Sequence, residues 1–451
     1  MPSIKDGLDR NDQTREVIGK VAMRIGIIGA GVSGLVAAYR LNEEHDVTVF
    51  EANNYIGGHT NTIAVEENGK EINVDTGFIV FNDRTYPNFI SLIDELGVAS
   101  QKTQMSFSVR CEQTGLEYRG ADLNGLFAQR KNLVNPRFLR LLYDLVRFKG
   151  VAAPLLESEK ESESVRQFLA RNNFLKQFVE QYFLPMGSAI WSCPFETFME
   201  FPIRFIAEFY QNHGLLGVSD RPQWRVIKGG SKQYIAPLTN GFTDRIHLNS
   251  KISGVIREPN SVAIQATNGD SHEFDHVIFA CHADQALAVL AESATATEKE
   301  ILSCFPYEKN VARLHTQSDV LPKSRRAWAC WNYLREKPSQ SDAHAKATVT
   351  YNMNILQSLE CQKTYCVTLN DTGRIRDENI LREIVYHHPT FNVRRREMQL
   401  RQADIIGPNR TSFCGAYWGN GFHEDGVKSA IAVVEGLTAN ANRRLPNEAT
   451  C

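Results

Sequence analysis

The chain has 451 residues, of which 42% are hydrophobic and 23% are charged, a balance that excludes a mostly disordered protein. The formal net charge of −2 excludes a general electrostatic attraction to nucleic acid. No run of about 18 apolar residues occurs, so we expect no transmembrane helix. Nine cysteines without a Cys-x-x-Cys pair indicate reduced thiols in a cytoplasmic protein, and the length predicts two or three domains.

The first predicted elements form a strand–helix–strand unit. Residues 1–22 are polar and mixed in charge, and we expect them to form a flexible tail. An apolar run at 24–28 then leads into glycines, a helix is predicted for 35–41, and a second strand for 47–50. This order predicts an α/β fold with a Rossmann-like sheet.

A glycine fingerprint lies between the first strand and the helix. Gly29 permits a tight turn, Gly31 lets the backbone approach a pyrophosphate, and Gly34 allows the helix to pack closely on the strand. Glu51, at the end of the second strand, is placed to accept hydrogen bonds from ribose hydroxyls and to repel a 2′-phosphate. The pattern predicts dinucleotide binding and disfavours NADP, with a purely structural glycine turn as the alternative.

A second glycine pair favours FAD over NAD. Gly57 and Gly58 follow the acidic residue and lead into His59 and Thr60. A chain that turns back toward the pyrophosphate needs such a close backbone approach. NAD dehydrogenases have no particular need for this element.

The remaining elements predict a second domain. Residues 122–180 have a helical pattern, 182–224 are rich in aromatic residues, and strand-like segments return after 246. A strand, a glycine-rich turn and a helix follow at 412–437. We therefore predict an FAD-binding domain and a discontinuous α+β substrate domain. The FAD-binding domain would comprise 23–81, 215–290 and 405–442, and the substrate domain 82–214 and 291–404.

The segment Glu51-Ala52-x-x-x-x-Gly57-Gly58 resembles the FAD signature of the flavin amine oxidase superfamily, which includes monoamine oxidases, protoporphyrinogen oxidase and phytoene desaturases. The resemblance continues at four motifs: Gly229-Gly230, 246–255, 274–280 and 413–416. It implies a Rossmann-like FAD-binding domain of the GR2 type. It also implies non-covalent FAD, because no cysteine matches the one that binds flavin covalently in monoamine oxidases.

Three further motifs are similar to a narrower group, the predicted NAD/FAD-binding proteins encoded beside cyclopropane fatty acid synthase. These motifs lie at 328–333, 350–357 and 421–426. The similarity implies a lipophilic substrate, with fatty acyl lipid as the favoured class and an acyl-lipid methyl-transfer enzyme as a candidate partner. The sequence departs from the superfamily where arginines commonly flank the Gly-Gly pair, since Ile56 and His59 stand there. The positive charge near the pyrophosphate is therefore either missing or supplied by another residue, with Arg84 and Lys228 as the candidates.

The resemblance assigns site residues by position. The cofactor contacts that it implies are Gly29, Gly31, Val32, Ser33, Gly34, Glu51, Ala52, Gly57, Gly58, His59, Thr60, Gly77, Phe78, Ile252, Ala280, Gly415, Glu424, Asp425 and Gly426. The candidate catalytic residues are His423, Tyr417, Phe422 and Trp418. His423 is the best acid or base candidate, because an imidazole moves protons near neutral pH. A purely hydrogen-bonding role for His423, and core packing for the aromatic residues, are the alternatives.

The expected reaction is desaturation or isomerisation of a C–C bond in an acyl chain, with hydride passing to flavin N5. An amine or polyene oxidase is one alternative, and a non-catalytic binding protein of the same fold is another. The aromatic residues of 183–210 are expected to line an apolar pocket or to form a core. The helix at 137–149 has basic flanks, and it rests either on an anionic bilayer or against the protein. His387 and His388 lack acids or cysteines at ligand spacing, so we expect no metal site and a packed or solvated loop.

Overall fold

The computed structural model describes residues 22–157, 163–191, 193–214, 221–336 and 348–444, so the expected tail lies almost entirely outside the described residues. The strands are β1 Arg24–Ile28, β2 Asp46–Phe50, β3 Thr62–Glu67, β4 Lys70–Asp75, β5 Phe81–Asn82, β6 Ser100–Lys102, β7 Phe107–Cys111, β8 Leu116–Arg119, β9 Trp224–Ile227, β10 Ile246–His247, β11 Ile252–Arg257, β12 Val262–Ala266, β13 Ser271–Phe274, β14 His276–Phe279, β15 Tyr307–His315, β16 Trp331–Arg335, β17 Thr348–Asn352, β18 Cys366–Leu369, β19 Ile380–Pro389 and β20 Thr411–Phe413.

The α-helices are α1 Val32–Leu41, α2 Pro87–Glu95, α3 Leu123–Leu126, α4 Pro136–Ala152, α5 Val165–Arg171, α6 Lys176–Phe178, α7 Leu184–Trp191, α8 Phe195–Met199, α9 Ile203–Asn212, α10 Ile235–Thr239, α11 Ala283–Leu290, α12 Ala296–Leu302, α13 Met353–Leu356, α14 Arg395–Gln399 and α15 His423–Arg444. None of the helices in these described ranges is long and apolar enough to cross a membrane.

A five-stranded parallel sheet organises one half of the molecule. Its strand order is β10-β2-β1-β14-β20, and β1 pairs in register with both β2 and β14. The apolar side chains of β1 and β2 are buried on both faces, as a parallel sheet covered on two sides requires. Helices α1 and α15 cover one face, and the antiparallel strands β11, β12 and β13 pack on the other. The α/β class with a Rossmann-like sheet is thereby confirmed.

The strands of this sheet come from three separated parts of the chain. Strands β1 and β2, then β10 and β14, and finally β20 fall in the three segments assigned to the FAD-binding domain. The boundaries of those segments stay a prediction.

A seven-stranded mixed sheet organises the other half, in the order β19-β15-β18-β17-β16-β7-β8. Its pairs are antiparallel except that β16 runs parallel to β7. Helices α4 to α9 contribute a large aromatic core beside it, with Phe138, Phe168 and Phe178 fully buried. The candidate site lies where the end of β19 and the aromatic core meet the glycine-rich loops of the parallel sheet.

Candidate functional site

The loop between β1 and α1 is tightly packed at two glycines and open at a third. Gly29 has a φ of +111°, and its N–H donates to the carbonyl oxygen of Phe50 at 2.8 Å. A Cβ on Gly34 would overlap the carbonyl oxygen of Gly29. At Gly31, by contrast, no atom of the described residues lies within 4 Å of the place where a Cβ would stand. The backbone is therefore most accessible at the residue that the fingerprint assigns to the pyrophosphate.

The first turn of α1 keeps its N–H donors available. Val32 and Ser33 begin this helix, whose first turn holds no acidic residue. No side chain among the described residues caps its N-terminus. Free N–H groups and the positive end of the helix dipole suit an anionic ligand.

The second glycine pair lies directly against the first loop. Gly57 forms an isolated parallel bridge with Gly31, and its N–H donates to Ala30 at 2.9 Å. A Cβ on Gly58 would stand 3.2 Å from the Cα of Gly31. A Cβ on Gly426 would lie 2.8 Å from side-chain atoms of α1. Three distant segments thus approach one another closely at glycines, as a site for an extended cofactor requires.

Glu51 is fixed beside this loop. The carboxylate is buried, and its Oε2 accepts from the N–H of Ala30 at 2.9 Å. Its Oε1 accepts from the N–H and the amide of Asn53, at 2.8 and 2.7 Å. A carboxylate has further lone pairs, so ribose hydroxyls can still be accepted. Ala52, the next residue, is exposed.

Other predicted cofactor residues close the cradle from the sides. Ala280 follows β14, and its carbonyl oxygen would lie 2.8 Å from a Cβ on Gly29. Ile252 begins β11 opposite Ala266, and the N–H of Gly415 donates to the hydroxyl of Ser429 at 2.9 Å. A Cβ on Gly77 would overlap the backbone oxygen of His59. These tight packings, together with the opening at Gly31, fit FAD.

His423 is held in a buried cluster of hydroxyls. Its ring stacks on Phe78 with centroids 3.6 Å apart, and its Nε2 lies 2.9 Å from Thr60 Oγ1 and 3.0 Å from the Tyr234 hydroxyl. Thr60 and Tyr234 are also hydrogen-bonded to each other. Burial, with a smaller contribution from His59, holds the pKa of His423 well below its ordinary value. His423 is therefore a neutral imidazole at neutral pH.

Three of the residues in this cluster were predicted as site residues, and Tyr234 was not. The sequence signal for Tyr234 is its position four residues after the Gly229-Gly230 motif. Its hydroxyl nevertheless reaches a histidine 189 positions away. Only the tertiary fold reveals that contact.

The four candidate catalytic residues do not share one environment in the structure. Phe422 stacks on Phe209 at 5.3 Å and packs against the cores of both halves of the molecule. Tyr417 and Trp418 instead pack on Phe305 beside the other face of the parallel sheet. The Tyr417 hydroxyl and the Trp418 Nε1 are buried, and neither has a hydrogen-bond partner among the described residues. The structure thus places His423 and Phe422 at the interface between the two halves of the molecule. Tyr417 and Trp418 do not lie there.

Glu424 and Asp425 are engaged in helix capping. The Glu424 carboxylate accepts from the N–H and side-chain amide of Asn88 and from the N–H of Phe89, at 2.6 to 3.1 Å. Asp425 accepts from the N–H of Phe422 at 2.9 Å, and burial raises its pKa to about 6. Both carboxylates thus have structural partners, and their contact with the cofactor stays a prediction.

Four histidines meet at the seam between the two halves. The His59 ring lies 4.7 Å from Tyr386 and 5.3 Å from His388, while His282 lies 6.1 Å from His387. Burial, reinforced by neighbouring imidazoles, lowers the pKa of His59 and His282 to about 4 and that of His388 to about 3. The Nε2 of His59 is buried and makes no hydrogen bond to any described residue.

This cluster corrects the expectation that His387 and His388 lie in a loop. His387 and His388 belong to β19, not to a loop, because they continue its pairing with β15. No cluster of potential metal ligands is found among the described residues.

Of the two residues expected to supply positive charge, Lys228 is exposed, and its backbone N–H donates to the carbonyl oxygen of Ala99 at 2.9 Å. The role of Arg84 stays a prediction.

The aromatic residues of 183–210 form a core. Their side chains are buried, apart from the half-buried Phe195, and they pack with Phe138 and Phe148 of α4. At the edge of this core Phe209 contacts Phe422, so the core forms an apolar wall beside the cofactor cradle.

Comparison with known proteins gives one family and one fold. The profile of the family described as flavin containing amine oxidoreductase matches residues 32–302. Cyclohexylamine oxidase from Brevibacterium oxydans IH-35A superposes with a TM-score of 0.66 at 17% identity, over 93% of this chain and 100% of that one. The CLA-producing fatty acid isomerase from P. acnes gives a TM-score of 0.62 at 15% identity, over 92% and 98%. At these identities the superpositions establish the fold alone.

A short segment is more similar to a curated protein. Over 42 residues the chain is 52% identical to 4,4′-diapophytoene desaturase (4,4′-diaponeurosporene-forming) from Staphylococcus aureus (strain Newman). The match spans 9% of this chain and only 8% of the desaturase.

Proposed function

Because this chain belongs to the flavin containing amine oxidoreductase family, and is therefore a flavin enzyme with FAD as its cofactor, we propose that it desaturates or isomerises a carbon–carbon bond in a fatty acyl chain. The observation that carries the proposal is the composition of the wall beside Phe422. That wall is aromatic, and the charged side chain stacked on it is a guanidinium.

The guanidinium belongs to Arg395. Its Cζ lies 3.8 Å from the ring centroid of Phe205 and 5.7 Å from that of Phe391, and the residue is only 5% exposed. Phe391 in turn lies 3.6 Å from where a Cβ of Gly421 would stand, next to Phe422. The guanidinium stacks on these rings as a cation–π contact and is part of the wall. An acyl chain would meet apolar rings along its length.

Arg395 also connects the wall to the turn before α15. One of its N–H groups donates to Gln399 Oε1 at 2.9 Å, and the Gln399 amide donates to the carbonyl oxygens of Tyr417 and Gly419 at 2.7 and 2.6 Å. These hydrogen bonds connect the aromatic wall to the turn that precedes Phe422.

The names of similar proteins support both carbon–carbon chemistry and its main alternative. One solved neighbour is a fatty acid isomerase and the short local match is a desaturase, whereas cyclohexylamine oxidase is named for an amine. The aromatic composition of the wall beside Phe422 favours the acyl chain over the amine.

FAD, when bound, supplies a two-electron acceptor of hydride. The chain's own residues orient the substrate, exclude water and hold the proton. Burial keeps His423 unprotonated, so its Nε2 can take up a proton only transiently, while the hydroxyl oxygens of Thr60 and Tyr234 accept hydrogen bonds from the imidazolium. Phe422 and Phe209 form a surface without hydrogen-bonding groups, which keeps water from the reacting carbon atoms.

Product analysis tests this proposal. FAD-loaded protein is incubated without oxygen with phosphatidylglycerol that carries monounsaturated chains, and the released acyl chains are analysed by mass spectrometry. Loss of two hydrogens indicates desaturation, and a displaced double bond of unchanged mass indicates isomerisation. Unchanged chains, together with turnover of primary amines, would overturn the proposal.

A matched pair of variants tests the role of the guanidinium. Arg395→Met removes the stacking on Phe205 and Phe391 and the hydrogen bond to Gln399, and we expect slower turnover of acyl substrate because the wall is less well ordered. Arg394→Met makes the same change at the adjacent, exposed arginine, which pairs loosely with Glu300 at 3.5 Å, and should leave turnover unchanged. Equal turnover by both variants would contradict the assignment.

A further inference from the structure

We propose that the outer face of α4, with the turn that precedes it, is a docking surface for a bilayer of anionic phospholipid. This inference goes beyond the proposed function, because it states where the enzyme meets its lipid, and its test requires no turnover.

Exposed apolar side chains are concentrated in this part of the molecule. Twelve large hydrophobic side chains are exposed among the described residues, and six of them lie between positions 123 and 146. These six are Leu123 75%, Leu133 52%, Val134 82%, Leu139 43%, Tyr143 58% and Val146 66% exposed. A patch of this kind on a water-soluble surface marks a site of interaction.

Helix α4 is apolar on two sides. Phe138, Leu141 and Phe148 face the core and are buried. Leu139, Tyr143 and Val146 follow the spacing i, i+4, i+7, which places them on a single stripe of the same helix. Because that stripe is exposed, it is not used in the protein's own packing.

The charges around the exposed apolar stripe of α4 indicate what binds to it. Between positions 123 and 152 the sequence holds six arginines and lysines but a single acidic residue, Asp144, whereas the whole chain is slightly negative. Asp144 is fully buried and lies 3.8 Å from Arg140 and 3.6 Å from Arg147. The exposed surface is therefore basic, with Arg137 and Lys131 at its margin.

An apolar stripe with basic margins matches the chemistry of a membrane surface. Apolar side chains enter the acyl region while arginine and lysine bind the anionic headgroups. A purely apolar protein partner would not call for the excess of positive charge, and nucleic acid would not call for the exposed leucine and valine side chains.

The position of the surface relative to the candidate site agrees with this assignment. On the inner side of α4, Phe148 lies 5.1 Å from Phe183 and 6.2 Å from Tyr210. Phe209, next along α9, stacks on Phe422. The docking surface and the apolar wall of the site therefore belong to one continuous aromatic core.

Vesicle flotation tests the proposal. The FAD-loaded full chain is mixed with vesicles of phosphatidylglycerol and phosphatidylcholine, or of phosphatidylcholine alone, and the floating fraction is measured at low and high salt. We expect flotation with the anionic vesicles, weakened by salt, and little with the neutral ones. Absence of flotation with both would overturn the proposal.

Two sets of variants locate the surface. Tyr143→Glu with Val146→Glu should abolish flotation without changing the melting temperature, because both side chains are exposed. Ile256→Glu makes an equivalent change at an exposed apolar residue on β11 and should float like the wild type. If all three proteins float equally, the lipid contact lies elsewhere and the proposal is wrong.

A second pair of variants tests whether the positive charge of the surface is required for binding. Lys131→Gln with Arg137→Gln should lower binding to anionic vesicles by about tenfold or more, since each basic residue contributes electrostatically near such a surface. Arg376→Gln with Arg382→Gln removes two exposed arginines elsewhere and should have no effect.

Two results distinguish this proposal from others. If the stripe instead joins two copies of this chain, light scattering will show a dimer that Tyr143→Glu with Val146→Glu dissociates, without vesicle binding, and membrane docking is refuted. Flotation without acyl turnover would refute the proposed function and leave the surface intact. Turnover of dispersed acyl lipid without flotation would refute the docking surface and leave the proposed function intact.

Discussion

Gly31 and Gly34 provide a matched pair for testing the cofactor cradle, because the same Gly→Ala change should have opposite effects at the two positions. Gly31 has φ −76° and ψ 179°, which alanine adopts without strain, and the described residues leave the space of its Cβ free. We expect Gly31→Ala to change the free energy of unfolding of the apoprotein by less than about 1 kcal/mol.

The methyl group at Gly31 would, however, occupy the space that the pyrophosphate needs. Overpacking of this kind costs about 1–3 kcal/mol, which corresponds to roughly 5- to 150-fold weaker binding of FAD. At Gly34 the new Cβ overlaps the carbonyl oxygen of Gly29, so helix α1 must move from β1. Gly34→Ala should therefore destabilise the apoprotein itself by about 1–3 kcal/mol or more.

Urea unfolding of the apoproteins and titration with FAD, followed by quenching of flavin fluorescence, measure the two quantities separately. Gly31→Ala should unfold at the same urea concentration as the wild type and bind FAD weakly, whereas Gly34→Ala should unfold at a lower urea concentration. A Gly31→Ala protein that binds FAD as tightly as the wild type would refute the placement of the pyrophosphate at this loop.

Three further predictions concern stability and the site. Between pH 6.5 and 4 the unfolding free energy should fall, because buried histidines with a pKa of about 4, such as His59, bind protons only when unfolded. Each such histidine contributes roughly 2 kcal/mol or less at pH 5, partly offset by Asp75 and Asp425, whose pKa of about 6 favours the folded state as pH falls. Urea titrations at pH 7 and 5 measure the difference, and equal stability would contradict it. Glu424→Ala removes the acceptor for the first turn of α2 and should cost about 1–3 kcal/mol in the same assay, with an unchanged midpoint as the contrary result. Tyr234→Phe should slow turnover while leaving FAD affinity unchanged, and a loss of FAD binding instead would place this hydroxyl at the cofactor.

The parts of the site that the sequence predicted are those governed by local backbone constraints. Gly29 needs a positive φ, and Gly34 needs close packing within the same strand–helix unit, so a few consecutive residues suffice to recognise both. The helix at 137–149 was likewise predictable from its own periodicity and is observed as α4.

Contacts between distant segments could not be predicted from the sequence. The histidine cluster joins His59 to His388 across the interface between the two halves, and His423 contacts Thr60 and Tyr234, which lie 363 and 189 positions away. The three donors that α2 supplies to the Glu424 carboxylate were likewise not predictable, and its contact with the cofactor stays a prediction. Competition between segments for one side chain becomes visible only when the fold brings them together.

Whether this flavin enzyme acts on acyl chains can be measured on the flavin itself. The FAD-loaded protein is mixed, without oxygen, with phospholipids, free unsaturated fatty acids or primary amines, and the visible absorbance of the flavin is followed while the products are analysed. We expect that an acyl lipid, and not an amine, either bleaches the flavin or is recovered with a displaced double bond. Bleaching by amines alone, with every acyl chain recovered unchanged, would contradict it.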